Sequence, residues 1–266
     1  MSGGLVRKSV VDPTRPSEAR VHDLLQGGKN NFAADRDLAD RLLSEVPRLR
    51  ATVRVHNQFR RRAVRHLARH GIRQYLDLGC GLPNDPAIHD IARQYLPDAR
   101  VVYVDNDPMA VMHCQALTAN GPGLDALEAD LRSPDTVLDE PAVWRLIDFD
   151  QPVGVLMFGV LHTIPDPFVA AEVVRGFVAR MAPGSYLAVS QLSTRTDPRV
   201  SRALTSVTEA AGGTVPALRS DSDLIALFDG FGLAKPGVVD IRDWRTGIAP
   251  RPALSLAMSC GVGRKR

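Results

Sequence analysis

The chain has 266 residues and a formal net charge of +3, from 33 basic and 30 acidic side chains. With 44% hydrophobic and 24% charged residues, it has the material for a large soluble core, and its charge excess is too slight to argue for a nucleic-acid partner. Three cysteines without a CxxC pair, Cys80, Cys114 and Cys260, argue against a disulfide framework or zinc knuckle and fit a reducing, cytoplasmic setting. No apolar run approaches the ~20 residues a membrane span needs. The first sixteen residues lack an apolar signal core and read as a loosely attached lead-in.

In chain order, Ser17 caps a short helix to Gln26 that Gly27-Gly28 stops. Leu38, Leu42, Leu43 and Val46 recur at helical spacing over 35–46, and Val53, Phe59, Val64 and Leu67 do so over 48–69 among many arginines. Residues 1–71 therefore read as an all-helical cover, and 72–266 as a second unit. From residue 74 strands and helices alternate. Strands are expected at 74–78, 100–104, 124–129, 153–158, 186–190, 238–241 and 254–260. Helices are expected at 88–96, 108–119, 167–181, 198–211 and 221–230. This alternation predicts an α/β fold with a mostly parallel, doubly wound sheet. The closing tail Arg264-Lys265-Arg266 reads as a solvated terminus.

The first strand runs into Asp77-Leu78-Gly79-Cys80-Gly81-Leu82-Pro83. Glycines there permit a tight turn and a close ligand approach to backbone N–H groups. The dinucleotide fingerprint would need glycine at 84, where Asn84 stands, and no GK[ST] makes a phosphate loop. Asp77, two residues before the first glycine, suits the ammonium end of an amino-acid-bearing cofactor. The second strand ends Asp105-Asn106-Asp107 and the third Asp130-Leu131. A carboxylate at 105 can accept both ribose hydroxyls of an adenosine. Asp130 can accept from its amino group, with the Leu131 N–H on the ring. Three acids at three strand tips line the sheet edge where open α/β sheets bind ligands, which points to an adenosine cofactor. The competing reading makes each acid a helix cap, as Asp107 before Pro108 certainly resembles.

The stretches SEARVHDLLQGGKNNFAADR (17–36), RQYLDLGCGLPN (73–84), VVYVDNDP (101–108), ADLRSP (129–134) and VLHTIPD (160–166) resemble the actinobacterial S-adenosylmethionine methyltransferases first grouped as a domain of unknown function. The glycine motif is widely shared, whereas GGKxNFAADR is specific. The resemblance implies a class I, Rossmann-like methyltransferase with a seven-stranded sheet and a reversed last strand. S-adenosyl-L-methionine is then the cofactor, and Arg20, Asn31 and Phe32 lie near its methionine part. This chain departs from the pattern at His22, Leu24 and Asn30, where a tyrosine, an aromatic residue and an aspartate are expected. Those departures fall near the acceptor pocket.

The expected activity is methyl transfer to a small-molecule acceptor, such as a specialised metabolite, on oxygen, nitrogen or an electron-rich carbon of the indole kind. The alternatives are a non-catalytic binder of the cofactor and an NAD(P)-dependent oxidoreductase, which would need the missing third glycine. Where the nucleophile carries a proton, a base must take it. His162, after Gly159 at the end of the fourth strand, is the first candidate, with packing against adenosine as its other role. His22 is the second. His66 and His70 stand four apart but have no third ligand, so no metal is expected. Cys80 reads as a small residue fitted to the cofactor. Trp244 is read as a core plug or a pocket wall, and Gln191 and Ser193 as pocket polar groups.

Overall fold

Short runs dominated by Val, Leu and other apolar residues make most of the central strands, and burial on both faces places them between two helical layers. In the computed structural model, which describes residues 10–119, 121–247 and 254–266, strands β1 (Gln74–Leu78) and β4 (Gly154–Phe158) are buried at every position. With β2 (Arg100–Asp105), β3 (Leu124–Glu128) and β5 (Tyr186–Leu192) they form the parallel part of the sheet. The antiparallel strand β8 (Met258–Lys265) pairs with β5 and carries β6 (Phe231–Leu233) and β7 (Val239–Asp240) on its other side. The spatial order is β3-β2-β1-β4-β5-β8-β6. The chain reverses direction of winding between β1 and β4, which is where such sheets open a ligand crevice.

One face of the sheet is covered by α3 (Leu49–Arg69), α4 (Ile88–Arg93), α5 (Pro108–Thr118) and α9 (Pro198–Ala210). Helices α6 (Pro134–Leu138), α7 (Pro141–Leu146), α8 (Pro167–Arg180) and α10 (Asp221–Ala226) cover the other. Helices α1 (Glu18–Gln26) and α2 (Ala33–Glu45) lie on α3 and α9, outside the first layer. Although α3 reads as part of the cover from sequence, its second half packs directly on the sheet. Phe59 meets Phe158 edge to face at 5.8 Å. A Cβ on Gly154 would come 2.9 Å from Leu67, so that strand needs glycine where the helix crosses it.

The described sheet has eight strands, one more than expected. The additional strand, β6, is three residues long with glycine at its centre, too short for a period-2 signal, and it ends the run expected as helix to 230. Helices α6 and α7 also escape a periodicity argument, being five and six residues long. The last strand begins at Met258, not 254, because its register is set by β5, with Met258 opposite Leu192 and Arg264 opposite Tyr186. Lys265 is accordingly no free tail. Its ammonium donates to the carbonyls of Val178 at 2.8 Å and Met181 at 2.6 Å, closing the end of α8. Of residues 10–16, Val10, Val11, Asp12, Arg15 and Pro16 line the site described next, and the carbonyls of Asp12 and Arg15 are bonded by Arg20. Trp244 is fully buried, edge to face with Phe59 at 5.6 Å, which makes it a core plug. No described helix is long and apolar enough to cross a membrane.

Candidate active site

A cavity of about 810 Å³ runs along the C-terminal edge of the sheet, between the strand tips and α1, α2, α3 and α9. At one end lies the turn after β1. Gly79 and Gly81 adopt φ of +69° and +64°, which a side chain would strain. A Cβ on Gly79 would lie 2.3 Å from Val160, whereas Gly81 faces open space. The Gly81 N–H donates to Asp105 Oδ2 at 2.8 Å, and the Asp107 N–H to Oδ1 at 2.9 Å. Both carboxylate oxygens are therefore fixed at the tip of β2. Burial raises the Asp105 pKa, and these N–H bonds work against the rise. Asn106, Asp130, Leu131 and Gly159 also line the cavity. Asp130 is held by the Arg132 guanidinium at 2.9 Å and 2.5 Å, and this bond keeps its pKa low.

The cover is fastened over this end. Arg20 donates from Nε to Asp35 Oδ2 at 2.8 Å, with both side chains buried, and its Nη1 lies 3.7 Å from Asp107. Its Nη2 donates to the carbonyls of Arg15 at 2.6 Å and Asp12 at 3.2 Å. Asp35 also accepts the N–H groups of Ser17 and Phe32. Ser17 occupies the cap position of α1 but makes no cap bond. Its hydroxyl instead donates to Asp107 Oδ2, while Asp107 Oδ1 caps α5 through Met109 and Ala110. One carboxylate thus joins the cover to the β2 tip.

At the middle of the cavity β4 ends in Gly159, whose φ is +67°. A Cβ there would meet the His56 ring at 3.0 Å. His56 is buried and bonds Ser190 Oγ through Nε2 at 2.7 Å. His22 stands edge-on to it at 6.2 Å. Gln26 Nε2 lies 2.8 Å from His22 Nδ1, and Gln26 Oε1 accepts from Asn57; with the amides turned this way the neutral His22 ring carries its hydrogen on Nε2. Burial, reinforced by Arg60, lowers the His22 pKa to about 4. Burial lowers the His56 pKa well below 6.5 in the same way. The Arg60 guanidinium sits over Phe158 at 5.7 Å.

Several sequence-predicted residues lie elsewhere. Asp77 does not line this cavity. It is buried behind the turn, 3.9 Å from Arg60, with Oδ2 unbonded, and burial raises its pKa to about 6. The group that reaches the cavity from this pair is Arg60. Asn31 and Phe32 are also outside. Phe32 stacks under the Arg20 guanidinium at 5.2 Å, and Asn31 bonds Gly28 and Arg36, because α2 begins here and turns both away. Gln191 is taken up by Arg219 and the Leu192 carbonyl, and Ser193 by the Arg195 N–H. His162 does line the cavity, but its Nε2 bonds Glu18 Oε1 at 2.6 Å and its Nδ1 is buried without a partner. Neither nitrogen stands open to a substrate. Among the described residues no group of three metal-ligating side chains occurs.

His56, Arg60 and Glu18 were missed. A signal existed for two of them. Val53, His56, Arg60, Val64 and Leu67 follow one another at intervals of three or four, which places a histidine and an arginine within the apolar stripe of α3. A charged residue on a buried face needs a partner or a function.

The paired oxygens of Asp105, the open face of Gly81 and the adjacent acid at 130 fit a nucleoside with a polar amino-acid arm. A profile of the S-adenosyl methyltransferase family matches residues 6–266. A crystal structure of a provisionally assigned methyltransferase from Thermobifida fusca is 38% identical, covering 96% of this chain and 97% of its own, with a TM-score of 0.89. A DUF574 family protein from Streptomyces avermitilis is 32% identical over 96% and 99%, with a TM-score of 0.91. Among curated proteins no sequence matches. A toxoflavin-type N-methyltransferase from Burkholderia thailandensis shares the fold at 15% identity and a TM-score of 0.51, over 79% and 78%. The chain belongs to the S-adenosyl methyltransferase family, a class I methyltransferase with S-adenosyl-L-methionine as cofactor.

Proposed function

We propose that this methyltransferase acts on a small molecule, of the kind made in specialised metabolism, and does so in the cytoplasm. The observation that carries the reading is the fastened cover: Arg20, Asp35 and Asp107 hold α1 and α2 across the cavity, whose volume of about 810 Å³ suits a compact acceptor beside the cofactor. The cofactor supplies an activated methyl group when bound. In this reading Asp105 accepts the ribose hydroxyls, Gly79 and Gly81 let the chain pass close, and Asp130 and Leu131 contact the adenine. Arg20, Asn106 and Gly159 border the amino-acid arm, and Arg60, which lines the cavity where Asp77 does not, suits the arm's carboxylate and not its ammonium. Residues 1–71 then serve as cover and 72–266 as the catalytic unit, with α3 shared between them.

The chain's own contribution is alignment, exclusion of water and, for a protonated nucleophile, removal of a proton. His22 is the better placed of the two histidine candidates, since it lines the cavity and its protein hydrogen bond is at Nδ1, not Nε2. Turning over the Gln26 and Asn57 amides would give that nitrogen the lone pair a base requires. His162, bonded to Glu18, holds the cover on the β4 edge. Calorimetric titration with S-adenosylmethionine, S-adenosylhomocysteine and NADH, followed by a metabolite panel, tests the assignment. Tight binding of the first two and methylation of a panel member are expected. Preference for NADH would overturn the reading, and cofactor binding without turnover on any metabolite would favour a non-catalytic binder.

A further inference from the structure

The sheet order separates the cavity into two chemically different ends. The tips of β3, β2 and β1 supply one end, and those of β5 and β8 the other, with β4 between. Every acidic lining residue comes from residues 12–18 or the β2 and β3 tips, and the arginines from residues 15–20, the β3 tip and α3. The far end is lined by Leu38 and Leu42 of α2, Val53 of α3, Leu192 of β5, Leu204 of α9 and Met258 of β8. Among the described residues those elements supply no charged lining group there, only the hydroxyls of Thr52 and Thr208, and the loop after α9 adds that of Thr214. Where the two ends meet, His22 and His56 present their rings.

We infer that the far end is the acceptor site, and that it takes an uncharged, mostly hydrocarbon molecule whose polar group lies against His22 and His56. This rests on the glycine-turn end holding the cofactor. An ion placed among these leucines would lose its hydration with no opposite charge to replace it, a large penalty. A neutral hydroxyl or ring N–H needs one hydrogen-bond partner: as the Gln26 and Asn57 amides stand, His22 Nε2–H can donate to a hydroxyl oxygen, and with them turned over that nitrogen can accept from a ring N–H. The depressed pKa values of both rings keep them neutral at pH 7, so neither histidine offers a charge to an ionic acceptor, and the two charged groups beside them are already engaged, Arg60 with Asp77 and over Phe158 and Glu18 with His162. The far end also explains why Leu24 and Asn30 can depart from the family pattern: neither lines the cavity.

The test uses the full chain saturated with S-adenosylhomocysteine and three eight-carbon probes: octan-1-ol, octylamine and octanoate at pH 7. Calorimetry should show octan-1-ol binding with a negative heat-capacity change, and the two ions at least about tenfold weaker. Leu204→Asp should lower octan-1-ol affinity at least about tenfold while leaving S-adenosylhomocysteine affinity unchanged. Leu204→Phe, which fills the space without adding charge, should do the same and guards against a folding defect in the first variant. Ions binding as well as the alcohol would overturn the inference. So would binding of no probe, or octan-1-ol affinity indifferent to both substitutions. Loss of S-adenosylhomocysteine binding in the unaltered protein would instead overturn the cofactor assignment, so the two failures are distinguishable.

Discussion

The two ends of the cavity are built by different means. The glycine-turn end is mostly backbone: positive φ at Gly79 and Gly81, N–H groups aimed at one carboxylate, and a helix cap at Asp107. The far end is entirely side chains, delivered by α2, α3, α9, β5 and β8 from positions 38 to 258. Backbone geometry demands particular residues at fixed local spacing, whereas an apolar wall accepts any leucine-like residue that fills the volume. The first end can therefore stay constant across a family while the second changes acceptor. The cover belongs to both, since α1 and α2 close each of them.

The largest effect expected is on the fastening between the ends. Arg20→Ala leaves the fully buried Asp35 carboxylate without its ion-pair partner. Breaking such a pair costs about 3–5 kcal/mol, which should appear as a lowered midpoint of chemical denaturation. Cofactor affinity should fall with it, because the same side chain approaches Asp107. A variant of unchanged stability would mean that α1 and α2 are not anchored to the β2 tip, and the contrast between two enclosed ends would lose its basis.

A smaller loss is expected at the backbone-built end. Asp105→Ala removes the acceptor of the Gly81 and Asp107 N–H groups together with the proposed ribose contact. At about 1–3 kcal/mol for each buried donor left unmade, S-adenosylhomocysteine affinity should fall by at least tenfold in calorimetry. Unchanged affinity would show that the β2 tip does not hold the nucleoside. The effect should be confined to cofactor binding, leaving octan-1-ol affinity in the far end within a factor of about three.

What could be read in advance follows the same division. Gly79, Gly81, Asp105 and Asp107 were legible because each is fixed by its neighbours in sequence. Strand β4 was legible because burial on both faces leaves an unbroken apolar run, and the other parallel strands because they alternate with helical stretches. His56 and Ser190 were not, being 134 residues apart and joined only through packing. Asn31 and Phe32 fall outside the cavity lining, because a motif records that residues matter, not which way a helix start turns them. Asp77 lies one layer behind the cavity lining: its partner Arg60 arrives from α3, and nothing near residue 77 announces it. Strand β6 exists only because β8 offers an edge, a condition absent from three residues considered alone.

The smallest effect concerns pH and tests whether the junction is dry. The pKa of His22 at the cavity and that of His66 in the core beside Trp244 are both lowered to about 4 by burial. In the unfolded chain each returns to about 6.5. Between those values the unfolded state binds protons that the native state refuses, so stability falls as pH drops from 6.5 towards 4 and is level above 6.5. Asp77 acts in the opposite sense. Its pKa, raised to about 6 by burial, favours the native state as pH falls from 6 towards 3.8. Denaturation midpoints from pH 4 to 7.5 should therefore decline on acidification in the unaltered protein, and less steeply in His22→Phe and in His66→Phe. His66→Phe calibrates the response of a ring that no ligand reaches. If His22→Phe leaves the slope untouched while His66→Phe flattens it, the His22 ring is titrating as in water. The apolar end of the cavity would then be open to solvent, and its contrast with the glycine-turn end would be one of composition only.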